Sequence, residues 1–266
     1  MRNFFLFTSA GLLFCLIAGF RSAFCLSQAT DIPEAKAGTL RATQMSYPRV
    51  KAAYQTKWDS ISSRLNSLNV PVDQLEVFIR AFKSELELEV WVKQKTDTVW
   101  QMYTKYDVIK KSGKSGPKRC QGDHQVPEGF YNQSQFNPVS QNFHLSLGVS
   151  YPNASDKFFA CKGDPGNAIM IHGAGGSTGC LPISNDAIEE LYILCIEAKN
   201  SGQKETEIHI FPKRLTDQNL AQLKAKETDV KVHAFWDNLK IGYDWFEAKR
   251  SLPIISVDGS GKYIFD

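Results

Sequence analysis

The sequence predicts an α+β protein: a β-rich domain of about 130 residues, flanked by a helical N-terminal segment and an aromatic C-terminal extension. Three observations carry that prediction. Apolar spacing switches from steps of three and four to alternation near Leu86. Short apolar runs separated by Gly-, Ser- and Pro-bearing loops follow, as far as Phe211. Composition is that of an ordinary globular chain, 42% hydrophobic and 22% charged over 266 residues, which excludes wholesale disorder, collagen and coiled coil.

The elements follow in chain order. Met1-Arg2-Asn3 precedes an apolar run from Phe4 to Phe20, broken only by Thr8, Ser9 and two glycines. A charge, a short apolar core and then small residues are the layout of a secretory signal, expected over residues 1–29 and cleaved after Cys25 or Ala29. The rival is an uncleaved anchor, because about 17 residues lie at the low edge for a membrane span. No other stretch approaches that length, so the expectation is an exported chain, in the periplasm or cell envelope, with no span left after cleavage. Residues 30–48 are polar, contain Pro33, Gly38 and Pro48, and read as a tether. Val50, Ala53, Tyr54, Trp58, Ile61, Leu65 and Leu68 recur at helical steps, predicting a helix over 49–69. Asp73 reads as the cap of a short helix, Gln74 to Lys83, with Leu75, Phe78, Ile79 and Phe82 on its apolar face.

Leu86 to Lys93 and Val99 to Ile109 then alternate, predicting a β-hairpin with one wet face. Lys110 to Lys118 is a Gly/Ser/Lys loop. Phe143–Val149, Ala168–Ile171 and Glu207–Phe211 are strand candidates, and Asn185–Lys199 is an amphipathic helix. Leu220 opens a further short helix, and the end is aromatic: Phe235, Trp236, Tyr243, Trp245, Phe246, Tyr263 and Phe265. These rings read first as packing residues. The expected organisation is a signal peptide at 1–29, a linker and helical segment at 30–75, a β-rich domain at 76–215, and an extension at 216–266 packed on that domain.

Charge narrows the partners. Without the leader, which holds Arg2, Arg21 and no acid, 29 bases face 28 acids. A near-neutral chain argues against nucleic acid, because phosphate binding needs a strong basic excess. Six cysteines in this length are too few for a disulfide scaffold. Two of them, Cys15 and Cys25, lie in the leader segment.

The chemistry concentrates in Ile169-Met170-Ile171-His172-Gly173-Ala174-Gly175-Gly176-Ser177-Thr178-Gly179-Cys180. An apolar strand ends on His172, a glycine-rich loop follows, and then comes Cys180. Glycines let the backbone turn back on itself, so the sulfur can return toward the imidazole. A thiolate is the reactive form of cysteine, and a neighbouring imidazole can take its proton. Backbone N–H groups in the Gly179–Cys180 turn could face a developing oxyanion. Bland alternatives stand beside this reading: a buried structural thiol, a packed histidine, or a disulfide from Cys180 to Cys161 or Cys120. Zinc lacks a CxxC or HxxxH pair. Papain-like enzymes place Cys well before His. Gly113-Lys114-Ser115 lacks the earlier glycine of a phosphate loop, position 108 being Val.

At these residues the chain resembles the L,D-transpeptidase (YkuD-type) family of bacterial cell-wall enzymes, and most closely its YafK-like branch. The resemblance rests on Ile169–Gly173 with Ser177–Cys180, on Phe78–Lys83 running into Leu88–Val92, on Pro127–Tyr131, on Phe143–Ser146 and on Tyr151–Asn153, covering roughly residues 76–215. It implies a curled sheet or barrel core and a cysteine enzyme acting on peptidoglycan stem peptides. It makes Cys180 the nucleophile and His172 the proton acceptor and donor. Gly173 would supply the backbone group that orients the imidazole, and Gly179 with Cys180 the oxyanion donors. No metal or organic cofactor is needed. Two departures stand out. Thr178 occupies the place of a second histidine, and Pro182 that of an arginine which can bind a substrate carboxylate. Branch members include enzymes that release wall-linked lipoprotein by hydrolysis, so water is an alternative acceptor to an amine. An inactive wall-binding module is the reading from another class.

Further candidates are weaker. Ser177 and Thr178 border the loop and His144 lies in a strand, and each is open to a place in the substrate cleft. Tyr151 and Asn153 are open to contact with substrate, although Pro152-Asn153 is first a turn signal. Cys120 and Cys161 are open to pairing with each other, and Cys195 lies on the apolar face of its helix.

Overall fold

A computed structural model describes residues 31–266 together with Met1. The expected leader, with Cys15 and Cys25, lies outside the described residues. The fold is α+β, built around one eight-stranded sheet with helices on both faces.

The N-terminal segment is ordered onto the domain from residue 39. Helix α1 (Leu40–Met45) starts at Thr39, whose Oγ1 accepts the Ala42 N–H at 3.2 Å. Helix α2 (Pro48–Ser67) starts with Pro at its first position and buries the expected stripe from Val50 to Leu65. Both pack on helix α4 (Asn185–Asn200), whose own cap is Ser184 Oγ. The join is polar as well as apolar. Buried Glu197 of α4 receives Arg41 and the Tyr54 hydroxyl, and Tyr192 donates to Gln44 at 2.7 Å. The polar composition that reads as a tether at 30–48 is therefore partly a set of α4 contacts.

The sheet runs β3-β2-β1-β8-β4-β5-β6-β7. Strands β1 (Leu75–Phe82), β2 (Glu87–Gln94) and β3 (Gln101–Asp107) form an antiparallel meander. Strand β8 (Glu207–Phe211) lies parallel to β1, and β4 (Gly129–Asn137) lies antiparallel to β8. Strands β5 (Ser146–Val149) and β6 (Met170–Gly173) continue antiparallel, and β7 (Leu181–Ile183) closes the row parallel to β6. The two edges meet: the Ile109 N–H, just past β3, donates to Pro182 O in β7 at 2.8 Å. The sheet is thus curled nearly shut.

Residues 75–82 are a strand and not the helix that their spacing predicts. The reason is burial on both faces. Val77, Ile79 and Ala81 join the core beneath α4, whereas Phe78 and Phe82 pack toward the other side against Phe246 and Tyr243. Alternation is present, but its second phase, Glu76, Phe78, Arg80 and Phe82, carries two large rings, so the pattern cannot be told from a helix face. The same covering corrects the wet face expected for the hairpin. Helix α6 (Val230–Lys249) lies over that face, preceded by α5 (Asp217–Lys224). Beneath it Glu89 is buried against Arg80 and Arg214, with Arg80 over the rings of Phe82, Tyr243 and Phe246 and bonded to Glu247 at 2.8 Å. Strands β9 (Ile255–Val257) and β10 (Tyr263–Phe265) form a terminal hairpin beside α6. Among the described residues no helix is long and apolar enough to cross a membrane.

Candidate active site

His172 sits in β6, opposite Ser146 of β5 on one side and Pro182 of β7 on the other. Its side chain is fully buried, and the Phe143 ring stacks on it with centroids 3.8 Å apart. Nδ1 faces Ala174 O at 2.8 Å. A carbonyl only accepts, so Nδ1 carries the hydrogen and Nε2 keeps its lone pair. Nε2 is buried and has no hydrogen-bond partner among the described residues. Burial holds the imidazole below its ordinary value against the pull of the Ala174 and Gly173 backbone groups, so the ring is neutral near pH 7. The resemblance gives the orienting role to Gly173. In the structure the carbonyl on Nδ1 belongs to Ala174, whose positive φ of 51° turns the chain at that point. Gly173 has a packing role instead: a Cβ there would lie 2.5 Å from Ile188 Cγ2 and 2.8 Å from Asn185 Oδ1, at the start of α4.

Cys180 immediately precedes β7. The register pairs Ile171 with Leu181 and His172 with Pro182. One step back sets Cys180 opposite Met170, on a diagonal from His172 of about 8 Å between Cα atoms by strand geometry. The loop brings the Cys180 backbone back beside β6, and no hydrogen bond joins the Cys180 and His172 side chains. The thiol is free and half-buried, with Sγ 3.8 Å from Ala168 O. Burial pushes the thiol up, with a backbone contact from Met170 pulling the other way.

The turn before the sulfur is clamped. Gly179 has φ of +103°, and a Cβ there would sit 3.0 Å from Gln125 O and 3.1 Å from Ile169 Cδ1, so only glycine fits. Its N–H donates to Ser112 Oγ at 2.7 Å. Ser177 Oγ donates to Cys180 O at 2.8 Å and lies 3.2 Å from Ser112 Oγ. The Gly179 N–H, expected as an oxyanion donor, is thus occupied by a hydroxyl from the 110–118 loop. A substrate oxygen reaches it only when Ser112 yields the place.

The remaining candidates lie further out. Thr178 is exposed and makes no side-chain hydrogen bond among the described residues. His144 pairs with Glu189 of α4 through Nε2 at 2.6 Å, and its N–H bonds Gly173 O at 3.4 Å. It supports the end of β6 from the side away from the sulfur's partners. Tyr151 is buried, with its hydroxyl on Pro165 O at 2.9 Å, and burial pushes the phenol up. It braces loops and offers no surface to a ligand. Asn153 caps helix α3 (Ala154–Phe158) and bonds Tyr263 at 2.8 Å. Cys120 and Cys161 form a disulfide with Cα atoms 5.3 Å apart, which overturns a bridge from either of them to Cys180. Cys195 is sealed in α4, its thiol pushed up to about 12 by burial. Among the described residues no three His, Cys, Asp or Glu side chains gather as a metal site.

Three contributors have no site role that the sequence signals. Ser112 sits in a loop whose composition reads only as flexible. Phe143 stacks on the imidazole because Arg49 Nη1 bonds the carbonyls of Ser140, Phe143 and His144 at 2.9–3.1 Å. Gln125 backs the Gly179 turn with its carbonyl.

No family model matches the chain. YafK of Escherichia coli strain K12, provisionally named an L,D-transpeptidase, is 36% identical over 190 residues, spanning 71% of this chain and 73% of YafK. YafK of the O157:H7 strain matches to the same extent. Among solved structures, the helical cell shape determining protein Pgp2 of Campylobacter jejuni aligns with a TM-score of 0.43 at 18% identity, covering 70% of this chain and 74% of its own. Bd1075 of Bdellovibrio bacteriovorus aligns with a TM-score of 0.38 at 20% identity, over 69% of this chain and 77% of its own.

Proposed function

The chain belongs to the YafK-like branch of the L,D-transpeptidase family, and we propose that it is an exported enzyme that transfers acyl groups of peptidoglycan stem peptides through a thioester on Cys180. The observation that supports this reading best is the state of His172: a neutral ring with its hydrogen fixed on Nδ1 and a bare Nε2, two register steps from a free thiol. That is the arrangement a general base needs before a nucleophile.

The chemistry runs in two halves. His172 Nε2 takes the Cys180 proton as the sulfur attacks the carbonyl at the L-centre of diaminopimelate. The C–N bond to the following D-alanine breaks, and the imidazolium returns its proton to the leaving amine. An incoming amine then gives its proton to His172, attacks the thioester and frees the thiol. Water in that place makes the enzyme a hydrolase, which trims peptides or releases wall-linked protein. The thioester stands between the halves; within each half a tetrahedral oxyanion needs N–H donors, and one such donor is worth about 3 kcal/mol.

Isolated sacculi incubated with the protein, digested and mass-measured test both the class and the acceptor. New 3,3-linked dimers mean transfer; shortened or released peptides mean hydrolysis. Cys180→Ala should abolish either product while leaving the thermal melt nearly unchanged. Unchanged sacculi, together with a Cys180 that neither a carbapenem nor iodoacetamide labels, would leave a wall-binding module as the surviving account.

A further inference from the structure

A cavity of about 530 Å3 opens between residues 114–119, the start of α6 and the turn before β10. Its wall contains the Phe159 and Phe235 rings, and between them stands the Arg119 guanidinium, at 5.1 Å and 4.6 Å from the two centroids. Nothing about this arginine is loose. Its N–H bonds Asp123 at 2.9 Å, its carbonyl receives the Cys161 N–H at 2.9 Å, and the neighbouring Cys120 is in the disulfide. Nη1 donates to fully buried Asp156 at 3.1 Å. Nε and Nη2 have no further partner among the described residues, and the side chain is 19% exposed.

Cations outnumber acids on the cavity wall: Lys114, Arg119, Lys231 and Lys262 face Glu227 and Asp229. Lys231 and Lys262 also line the cavity and pair with no carboxylate among the described residues. Lys114 reaches Glu227 only at 4.0 Å. The two acids on the wall are engaged locally: Glu227 accepts the Thr228 and Asp229 N–H groups, and Asp229 caps α6 at Lys231 N. A pre-set arginine with two spare donors, apolar rings beside it and unpaired lysines at the rim matches a small aliphatic ligand with a free carboxylate.

One residue links the cavity to the turn that carries Cys180. Gln125 lines it, and the same residue's carbonyl abuts Gly179. Lys114, whose N–H bonds Gln125 Oε1 at 2.9 Å, is two residues from Ser112, which holds the Gly179 N–H. At the turn itself Cys180, Ser177 and Gly179 contact Ala168, Met170, Ser112, Gln125 and Ile169, none of them cationic. Besides Lys110 and Lys111, which precede Ser112, the cavity offers a peptide lying across Cys180 the cations Arg119, Lys231 and Lys262.

We propose that this cavity is a docking site for a free carboxylate of the wall peptide, with Arg119 as its fork and Lys231 and Lys262 as its rim charge. The identity of the peptide rests on the proposed acyl transfer; the carboxylate preference does not. The test uses full-length Cys180→Ala protein, which cannot turn over, titrated calorimetrically with the soluble stem tetrapeptide and with the same peptide amidated at its carboxylates. The free acid should bind at least tenfold tighter than the amide. Lys231→Gln/Lys262→Gln, which breaks no ion pair, should remove most of that preference. Arg119→Lys, which keeps a charge against Asp156, should weaken the acid several-fold more than the amide. Equal affinity for acid and amide, or a preference untouched by all three substitutions, overturns the proposal even if sacculi are processed. Retained acid preference with unprocessed sacculi overturns the enzyme reading and leaves the site standing.

Discussion

Two histidines are buried in the same sheet, and their settings are near mirror images. His172 in β6 gives its Nδ1 hydrogen to Ala174 O and leaves Nε2 bare; His209 in β8 bonds Glu207 through Nε2 at 3.0 Å and leaves Nδ1 bare. Burial holds both imidazoles below their ordinary value. What differs is what surrounds the bare nitrogen. His209 lies among Phe78, Phe130 and Phe211, with ring centroids 4.6 to 6.2 Å away, under the cover of α6. His172 has one ring, Phe143, and beyond it a glycine loop that carries a thiol back toward it. A buried, neutral, half-partnered imidazole is therefore not in itself a reactive group. Reach decides: only His172 has a free thiol on the neighbouring chain segment, two register steps away.

The most forceful way to break this comparison is to remove each ring in turn. His172→Gln should lower turnover on sacculi about a thousandfold, the usual scale of a lost general base, and move the melting temperature little. His209→Gln should do the reverse. Turnover per folded molecule should stay within about threefold, and stability should fall by roughly 2 kcal/mol, because the amide disturbs a close-packed aromatic setting. Denaturant melts read beside product formation check both halves. If both variants lose turnover equally at full folding, the two settings are not functionally different and the comparison fails.

The same contrast explains what was legible in the sequence. The Asn185–Lys199 stripe, the Glu207–Phe211 strand and the hairpin are readable because local periodicity records which residues are buried. Periodicity does not record what covers them. The α6 cover over β1 and β2 comes from more than 130 residues later, so residues 74–83 read as a helix and Glu89 as solvated. The adjacency of the His172 strand and the strand that follows Cys180 is legible because only a short glycine loop separates them. The rest of the site is assembled at long range. Ser112 is 67 residues from Gly179, and the Cys120–Cys161 pairing spans 41. No local signal encodes either. Even within the loop, which carbonyl meets Nδ1 depends on the left-handed turn at Ala174 and not on the glycines that make the turn possible.

The proton's resting place sharpens the comparison next. Burial raises the Cys180 thiol and lowers the His172 imidazole, so both directions oppose a preformed thiolate–imidazolium pair. A raised thiol has less thiolate at any given pH below its own value, and alkylation follows the thiolate. Iodoacetamide labelling of Cys180 should therefore climb about tenfold per pH unit from pH 6 to pH 8, roughly a hundredfold in all. His172→Gln should keep that slope. A rate already flat from pH 6 upward would mean that the imidazole holds the proton in the free enzyme, and the two histidines would then differ in charge and not only in reach.

The smallest expected effect falls on the group that sets the reach. Ser112 has no counterpart beside His209; it ties the Gly179 N–H and, through Ser177, the Cys180 carbonyl to the 110–118 loop. Ser112→Ala removes a neutral hydrogen bond, worth about 1 kcal/mol, at a partly buried position. The fold should survive with a slightly lower melt. Turnover should fall by about tenfold in kcat with little change in KM, because the turn is less well held when the sulfur attacks. The opposite sign is equally informative. If kcat rises, the hydroxyl was competing with the oxyanion for the Gly179 N–H, and the clamp opposes catalysis in place of aiding it. Replacing Ser112 with Thr, which retains the hydroxyl, should restore most of the wild-type rate in either case.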